Sequence, residues 1–280
     1  MKAKFVFWVI FVLLGAVVFA QNPATDFDYQ LNSTGDGVMI TKYKGRSPTV
    51  VIPGVIEGFP VKEIRASTFQ GNKIVTSVTI PDTVTKLDDS AFSSCENLKS
   101  VHIPDSIVFT VQIHTTHYMD GHEIDEPYGS PSSLFNGCRS LTSVRLPNNI
   151  TIIPQGTFTG CTSLKAFTFP PSVKYIGHSA FNSSGIETIK IPEGVEYLPD
   201  NNQSIYGVFW KCKSLTEVYL PSTLKRLGAN SFAECSNLVN VHIPSNIESL
   251  HIGNTEFRGC PKLPLATQAA LRKLGYIGNF

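Results

Sequence analysis

Charge is scarce in this 280-residue chain: 16% of residues are charged, and 23 Lys and Arg face 22 Asp and Glu. Without a basic surplus the chain lacks the electrostatic footprint of a dedicated nucleic-acid binder. Catalytic signatures are missing too. There is no Gly-x-Ser-x-Gly elbow, Walker loop, His-Glu-x2-His or Gly-x-Gly-x2-Gly. Gly35-Asp36-Gly37 is too short to cradle phosphate and reads as a turn before a strand. No Cys-x2-Cys pair offers zinc two local ligands. No nucleophile, acid–base pair or cofactor cradle stands out, so the chain reads as a non-enzyme without a cofactor. Disorder is excluded as well, because 42% of the residues are hydrophobic and can build a core.

The first segment is expected to be an export signal. Lys2 and Lys4 precede an apolar run from Phe5 to Phe19, and Val18-Phe19-Ala20 supplies a cleavage-like end before Gln21. The run has fifteen residues, short of the ~20 that span a bilayer. No second run of spanning length follows. The expectation is a secreted, surface-held or periplasmic protein without a membrane span in its mature part.

What the chain has in abundance is repetition. An apolar residue followed by Pro recurs at Pro53, Pro81, Pro104, Pro147, Pro170, Pro192, Pro221 and Pro244, with spacings of 28, 23, 43, 23, 22, 29 and 23. A Phe keeps the same period at Phe69, Phe92, Phe135, Phe158, Phe181, Phe209, Phe232 and Phe257. Leu falls six residues after most of these, and Val or Phe three further on. The unit is Phe-x2-Cys-x2-Leu-x2-Val-x-Ile-Pro-x2-Val-x2-Ile-x3-Ala-Phe. A fixed period of this length predicts a solenoid, since one coil alone cannot bury its own apolar face. Val-x-Ile alternates as a strand does. Pro removes a ladder donor and ends the strand, and turn residues such as Asp82-Thr83 and Asn148-Asn149 follow. The predicted fold is a leucine-rich-repeat solenoid with parallel strands on one face and turns or helical turns on the other.

The unit Cys-x2-Leu-x2-Val-x-Ile-Pro with its closing Ala-Phe resembles the leucine-rich repeat of BspA-type bacterial surface proteins. The stretch from Asp26 to Phe69 is similar to the lead-in of that family, through Gly37-Val38-Met39-Ile40 and Val50-Val51-Ile52-Pro53. The resemblance covers about residues 26 to 263. It implies bacterial export, a surface location and binding of host or neighbouring-cell proteins. The expected organisation is a signal at 1–20, a lead-in with the first β-rich coil at 21–63, and the solenoid at 64–263. Insertions fall near 107–134 and 199–208, and a C-terminal cap occupies 264–280. Within that cap, residues 265–275 read as a helix with Thr267 as N-cap and Gly275 as stop. Its apolar side is expected to cover the last coil; a partner-binding helix is the alternative.

Cys95, Cys138, Cys161, Cys212, Cys235 and Cys260 each lie three residues after a repeat Phe. Asn72 and Ser184 hold the same position in other coils, so the slot reads as a small, tight one, and free thiols are favoured over bridges.

Two departures from the period stand out. The insertion after Pro104 carries His114, His117 and His122 among Asp120, Glu123, Asp125 and Glu126. Asp120-Gly121 between β-prone runs signals a hairpin. A solvated hairpin is the plain reading, and a mixed nitrogen and oxygen metal site is the alternative. The position after each repeat Phe is usually polar, as at Gln70, Ser93, Asn136, Thr159 and Asn182, but Trp210 occupies it beside the second insertion. Either the insertion covers that ring, or the ring is a binding anchor.

The preferred candidate site is the outward row of the strands, which lies between the inward Val and Ile. It comprises Thr79, His102, Arg145, Thr168, Lys190, Tyr219 and His242, with Glu217 in the row one step earlier. Stacked coils would merge these side chains into one recognition surface for a protein or a surface glycan. Self-assembly in the cell envelope is the competing role.

Overall fold

The computed structural model describes residues 20–117, 123–199, 206–247 and 250–280. The expected export signal, apart from Ala20, lies outside the described residues. So do residues 118–122, most of the second insertion, and the side chains between 113 and 128.

The lead-in forms β1 (Phe27–Leu31), β2 (Val38–Tyr43), β3 (Thr49–Val51), β4 (Val55–Ile56) and β5 (Phe59–Ile64). The coils add β6 (Ser77–Thr79), β7 (Lys86–Leu87), β8 (Ser100–His102), β9 (Thr110–His117), β10 (Glu123–Ser130), β11 (Ser143–Arg145), β12 (Ile152–Ile153) and β13 (Tyr175–Ile176). The last coils contribute β14 (Thr188–Lys190), β15 (Glu217–Tyr219), β16 (Asn240–His242) and the helix α1 (Leu265–Lys273).

The Val-x-Ile segments stack as parallel strands in register. β3, β6, β8 and β11 form one sheet, and β14, β15 and β16 form another. Val78 pairs with Val101, and Val218 with Val241. The inward Val78, Val101, Val218, Ile80 and Ile103 are buried. The ladder is not continuous, because the segment around Thr168 is not a strand. There Phe167 takes the place of Val. Its larger ring turns edge-on to Phe169 and Phe181 at 4.9 and 5.1 Å and lies 5.0 Å from Phe158. The break in the ladder coincides with that ring.

A second parallel ladder, which the period alone does not announce, forms from the residues after each turn. β2, β5 and β7 share it, β12 pairs β13, and single bridges join Tyr197, Arg226 and His251. Among the described residues, antiparallel pairing is confined to the lead-in and to the β9–β10 hairpin. The two strands pair as the expected hairpin requires, and the Asp120-Gly121 signal itself lies outside the described residues.

The repeat Phe rings form the axis of the core. From Phe69 to Phe257 each ring stacks on the next with centroids 5.1 to 5.8 Å apart and planes within 28°. All eight are buried. Tyr43 and Phe27 begin the column. Tyr276, just after α1, closes it edge-on to Phe257 at 5.7 Å. The tail thus caps the last coil through Tyr276 and the buried Leu271. The helix begins at Leu265, with Pro264 in the N-cap position and no side-chain cap. Thr267 therefore lies inside the first turn rather than capping it. Pro264 explains the earlier start, because its fixed φ suits entry to a helix. Gly275 ends the helix at φ +112°, as expected.

Each Phe corner needs a left-handed residue two positions after the ring: Gly71, Ser94, Gly137, Gly160, Ser183, Lys211, Glu234 and Gly259 all have positive φ. Four of the eight are not glycine. The reversal is thus imposed by the coil rather than by local preference, since left-handed backbone costs an L-residue ~1–2 kcal/mol.

Candidate functional site

The outward row begins at Val51 of β3 and continues through Thr79, His102 and Arg145 across the first sheet. It resumes at Lys190, Tyr219 and His242 across the second. Thr168 is exposed between the two sheets but belongs to neither. Strand alternation exposes these side chains, because their neighbours on each side point into the core.

Two organised groups result. On the first sheet the Arg145 guanidinium lies 2.9 Å from His102 Nε2 and donates to Asp105 Oδ2 at 3.0 Å. Asp105, in the turn after Pro104, also accepts from the backbone N–H of Asn148 at 2.9 Å. That backbone bond, then Arg145, holds its carboxyl below the usual carboxylate range. The row read from the sequence omitted Asp105, because turn residues carry no face assignment until the coils are stacked.

On the second sheet the Tyr219 and His242 rings are stacked, with centroids 4.0 Å apart and planes 2° from parallel. His242 Nε2 lies 2.6 Å from Glu217 Oε1. The imidazole draws the Glu217 carboxyl below its ordinary range. Partial burial and the neighbouring Glu217 carboxylate raise the Tyr219 phenol. Lys190 is exposed beside this group and has no ion-pair partner among the described residues. Together the two sheets display arginine, lysine, a fixed aromatic pair and a single carboxylate within each group.

The other candidates resolve differently. All six Cys are free and buried. Each thiol donates to the carbonyl of the Phe one coil earlier, as Cys95 does to Phe69 at 2.9 Å and Cys212 to Phe181 at 3.0 Å. Burial pushes Cys95, Cys161 and Cys260 up to about 12 and Cys212 up to about 11, which suppresses the nucleophilic thiolate. The histidine cluster of the first insertion lies outside the residues whose side chains are described. Among the described residues no group of His, Cys, Asp and Glu is arranged to hold a metal. Trp210 is half-buried: Tyr206 of the insertion lies 4.5 Å from its ring, and Lys211 Nζ sits 3.9 Å from the ring centroid. Tyr206 of the insertion therefore lies against the ring. No described helix is long and apolar enough to cross a membrane.

The chain is similar to several solved proteins. The solved leucine-rich-repeat protein TpLRR of T. pallidum is 29% identical, with a TM-score of 0.60 over 93% of this chain and 99% of that one. A leucine-rich cell surface protein of Faecalibacterium prausnitzii is 22% identical, with a TM-score of 0.37 over 87% of this chain and 81% of that one. The pneumococcal vaccine antigen PcpA is 17% identical, with a TM-score of 0.45 over 87% of this chain and 80% of that one. No curated protein matches the chain. The BspA type leucine-rich-repeat region matches residues 60–113 and 130–264, in six copies. With that match spanning most of the chain, and with parallel coils stacked on a continuous Phe column, the protein belongs to the BspA-type leucine-rich-repeat family.

Proposed function

We propose that this chain is an exported, non-enzymatic, adhesin-like protein that binds another protein through the strand face, at a bacterial surface or outside the cell. The observation that carries the reading is the fixed Tyr219–His242 stack with Glu217 beside it. A partly exposed aromatic group already held in one geometry loses little freedom on binding, which is how a few side chains anchor an interface. Arg145, oriented by Asp105, and the exposed Lys190 extend the surface with positive charge. The complementary partner is a protein patch rich in carboxylates and aromatic rings. Many shallow contacts along the coils would supply the remaining affinity. Pull-down from extracellular material with the mature chain, compared with an Arg145/Lys190/Tyr219→Ala variant, tests the reading. The variant should fold as the parent does and lose the captured protein. Equal capture by both chains would place the site elsewhere.

A further inference from the structure

The two insertions that break the repeat flank the same trough, on the Phe-corner side of the coils rather than on the strand face. One cavity, of about 340 Å³, lies at the root of the β9–β10 hairpin and is lined by Asp89, Gln112, Ser130 and Gln155 among others. A second, of about 370 Å³, is lined by Gln155, Asn136, Asn182 and Tyr206 among others. The two share Gln155 and meet at Ser132-Ser133. Asn136, Thr159 and Asn182 belong to the polar row that follows each repeat Phe. Stacked coils bring that row together, as they do the strand row.

The lining has a distinct chemistry. It consists of serine and threonine hydroxyls, Asn and Gln amides, one imidazole from His178 and one carboxylate from Asp89. No Lys or Arg and no aliphatic side chain lines either cavity among the described residues. Asp89 Oδ1 already accepts from Ser130 Oγ at 2.8 Å and from the Ser132 N–H at 2.7 Å, which ties the hairpin root to the coil. Phosphate or nucleic acid would need basic groups here. A divalent cation would need several oxygen ligands with negative charge. A protein anchor would need an apolar pocket. Amides and hydroxyls, each both donating and accepting, match a ligand made of uncharged hydroxyl groups.

Tyr206 completes the match. Its ring is 40% exposed at one end of the trough and packs against Trp210, with centroids 4.5 Å apart and planes tilted by 42°. An aromatic ring placed in this way offers a flat apolar surface of the kind the C–H face of a pyranose covers. We propose that the trough from Asp89 through Gln155 to Tyr206 is a binding site for a neutral oligosaccharide, independent of the strand face and of its partner.

Titration calorimetry of the full mature chain with neutral hexasaccharides of gluco, xylo and manno type, and with a heparin-derived hexasaccharide as an acidic arm, tests this. At least one neutral sugar should bind saturably and the acidic one should not. Tyr206→Ala and Gln155→Ala alter exposed side chains and should leave thermal unfolding unchanged. Each should weaken binding about tenfold, as expected for one lost ring or amide contact. The Arg145/Lys190/Tyr219→Ala chain should bind the sugar as the parent does, so loss of the strand-face partner and loss of the sugar can be told apart. The site is overturned if no neutral sugar binds at millimolar concentration, if only the acidic one does, or if both trough variants bind like the parent.

Discussion

The Cys138 thiol donates to the carbonyl of Phe92, 3.1 Å away and one coil earlier. The same bond recurs from Cys161 to Phe135, from Cys235 to Phe209 and from Cys260 to Phe232. A ladder of thiol-to-carbonyl bonds therefore runs beside the ladder of rings. Each of these carbonyls also accepts the backbone N–H three residues on, as Phe92 does from Cys95 at 3.2 Å, so the thiol fills the second acceptor position of a buried oxygen. Ser184 stands in the same slot, 3.4 Å from the sulfur of Cys212.

The thiols should make the fold sensitive to alkali. Burial raises them from the ordinary 9.0 to about 12 at Cys95, Cys161 and Cys260. A thiol whose folded pKa lies above its unfolded value stabilises the fold fully below the unfolded pKa, and that contribution falls as pH rises toward the folded one. Urea midpoints should thus decline between about pH 9 and pH 12, and more steeply than in a variant with Ser at all six positions. Native protein at pH 8 should resist iodoacetamide, whereas denaturation without reductant should release six reactive thiols.

The Phe column predicts where truncation hurts most. Phe158 is fully buried between Phe135 and Phe181, with Phe167 against its side. Phe158→Ala should cost ~3–5 kcal/mol, the usual loss for a fully buried ring. Chemical denaturation followed by circular dichroism measures it, and a loss below ~1 kcal/mol would contradict the packing described.

Glu234 holds a left-handed conformation, with φ +62°, at a position that is glycine in four equivalent coils. Glu234→Gly should stabilise the protein by ~0.5–1 kcal/mol, the relief of strain less the added freedom of the unfolded chain. A Ser100→Gly control in β8, where the backbone is extended, should destabilise instead. Thermal melts of the two variants separate these signs.

The pairing of Glu217 with His242 makes a prediction about titration. The imidazole is the largest influence that holds the Glu217 carboxyl below its ordinary range. His242→Ala should therefore move the Glu217 midpoint upward, as read by carboxyl carbon NMR. A depressed carboxyl contributes stability above its unfolded pKa and loses it as pH falls through the folded one. Any effect on folding should accordingly appear only in acid, and disappear in the variant.

The amino-acid order was enough to settle the coil. Period, strand and core follow from the spacing of Phe, Leu, Val, Ile and Pro, because a repeat with one apolar face has to stack on its neighbour. The outward row, from Thr79 to His242, was legible for the same reason: alternation is local. The break at Thr168 was signalled only by Phe167 in a Val position, and ring volume does not reveal which way a ring will turn. Left to the tertiary structure were relationships between residues of different coils. These include the Arg145–Asp105 pair, the thiol bonds to preceding carbonyls, the second ladder and the two polar cavities that share Gln155. Such contacts depend on rotation and rise between coils, which are fixed by side chains packing across the stack and have no counterpart in the spacing along a single one.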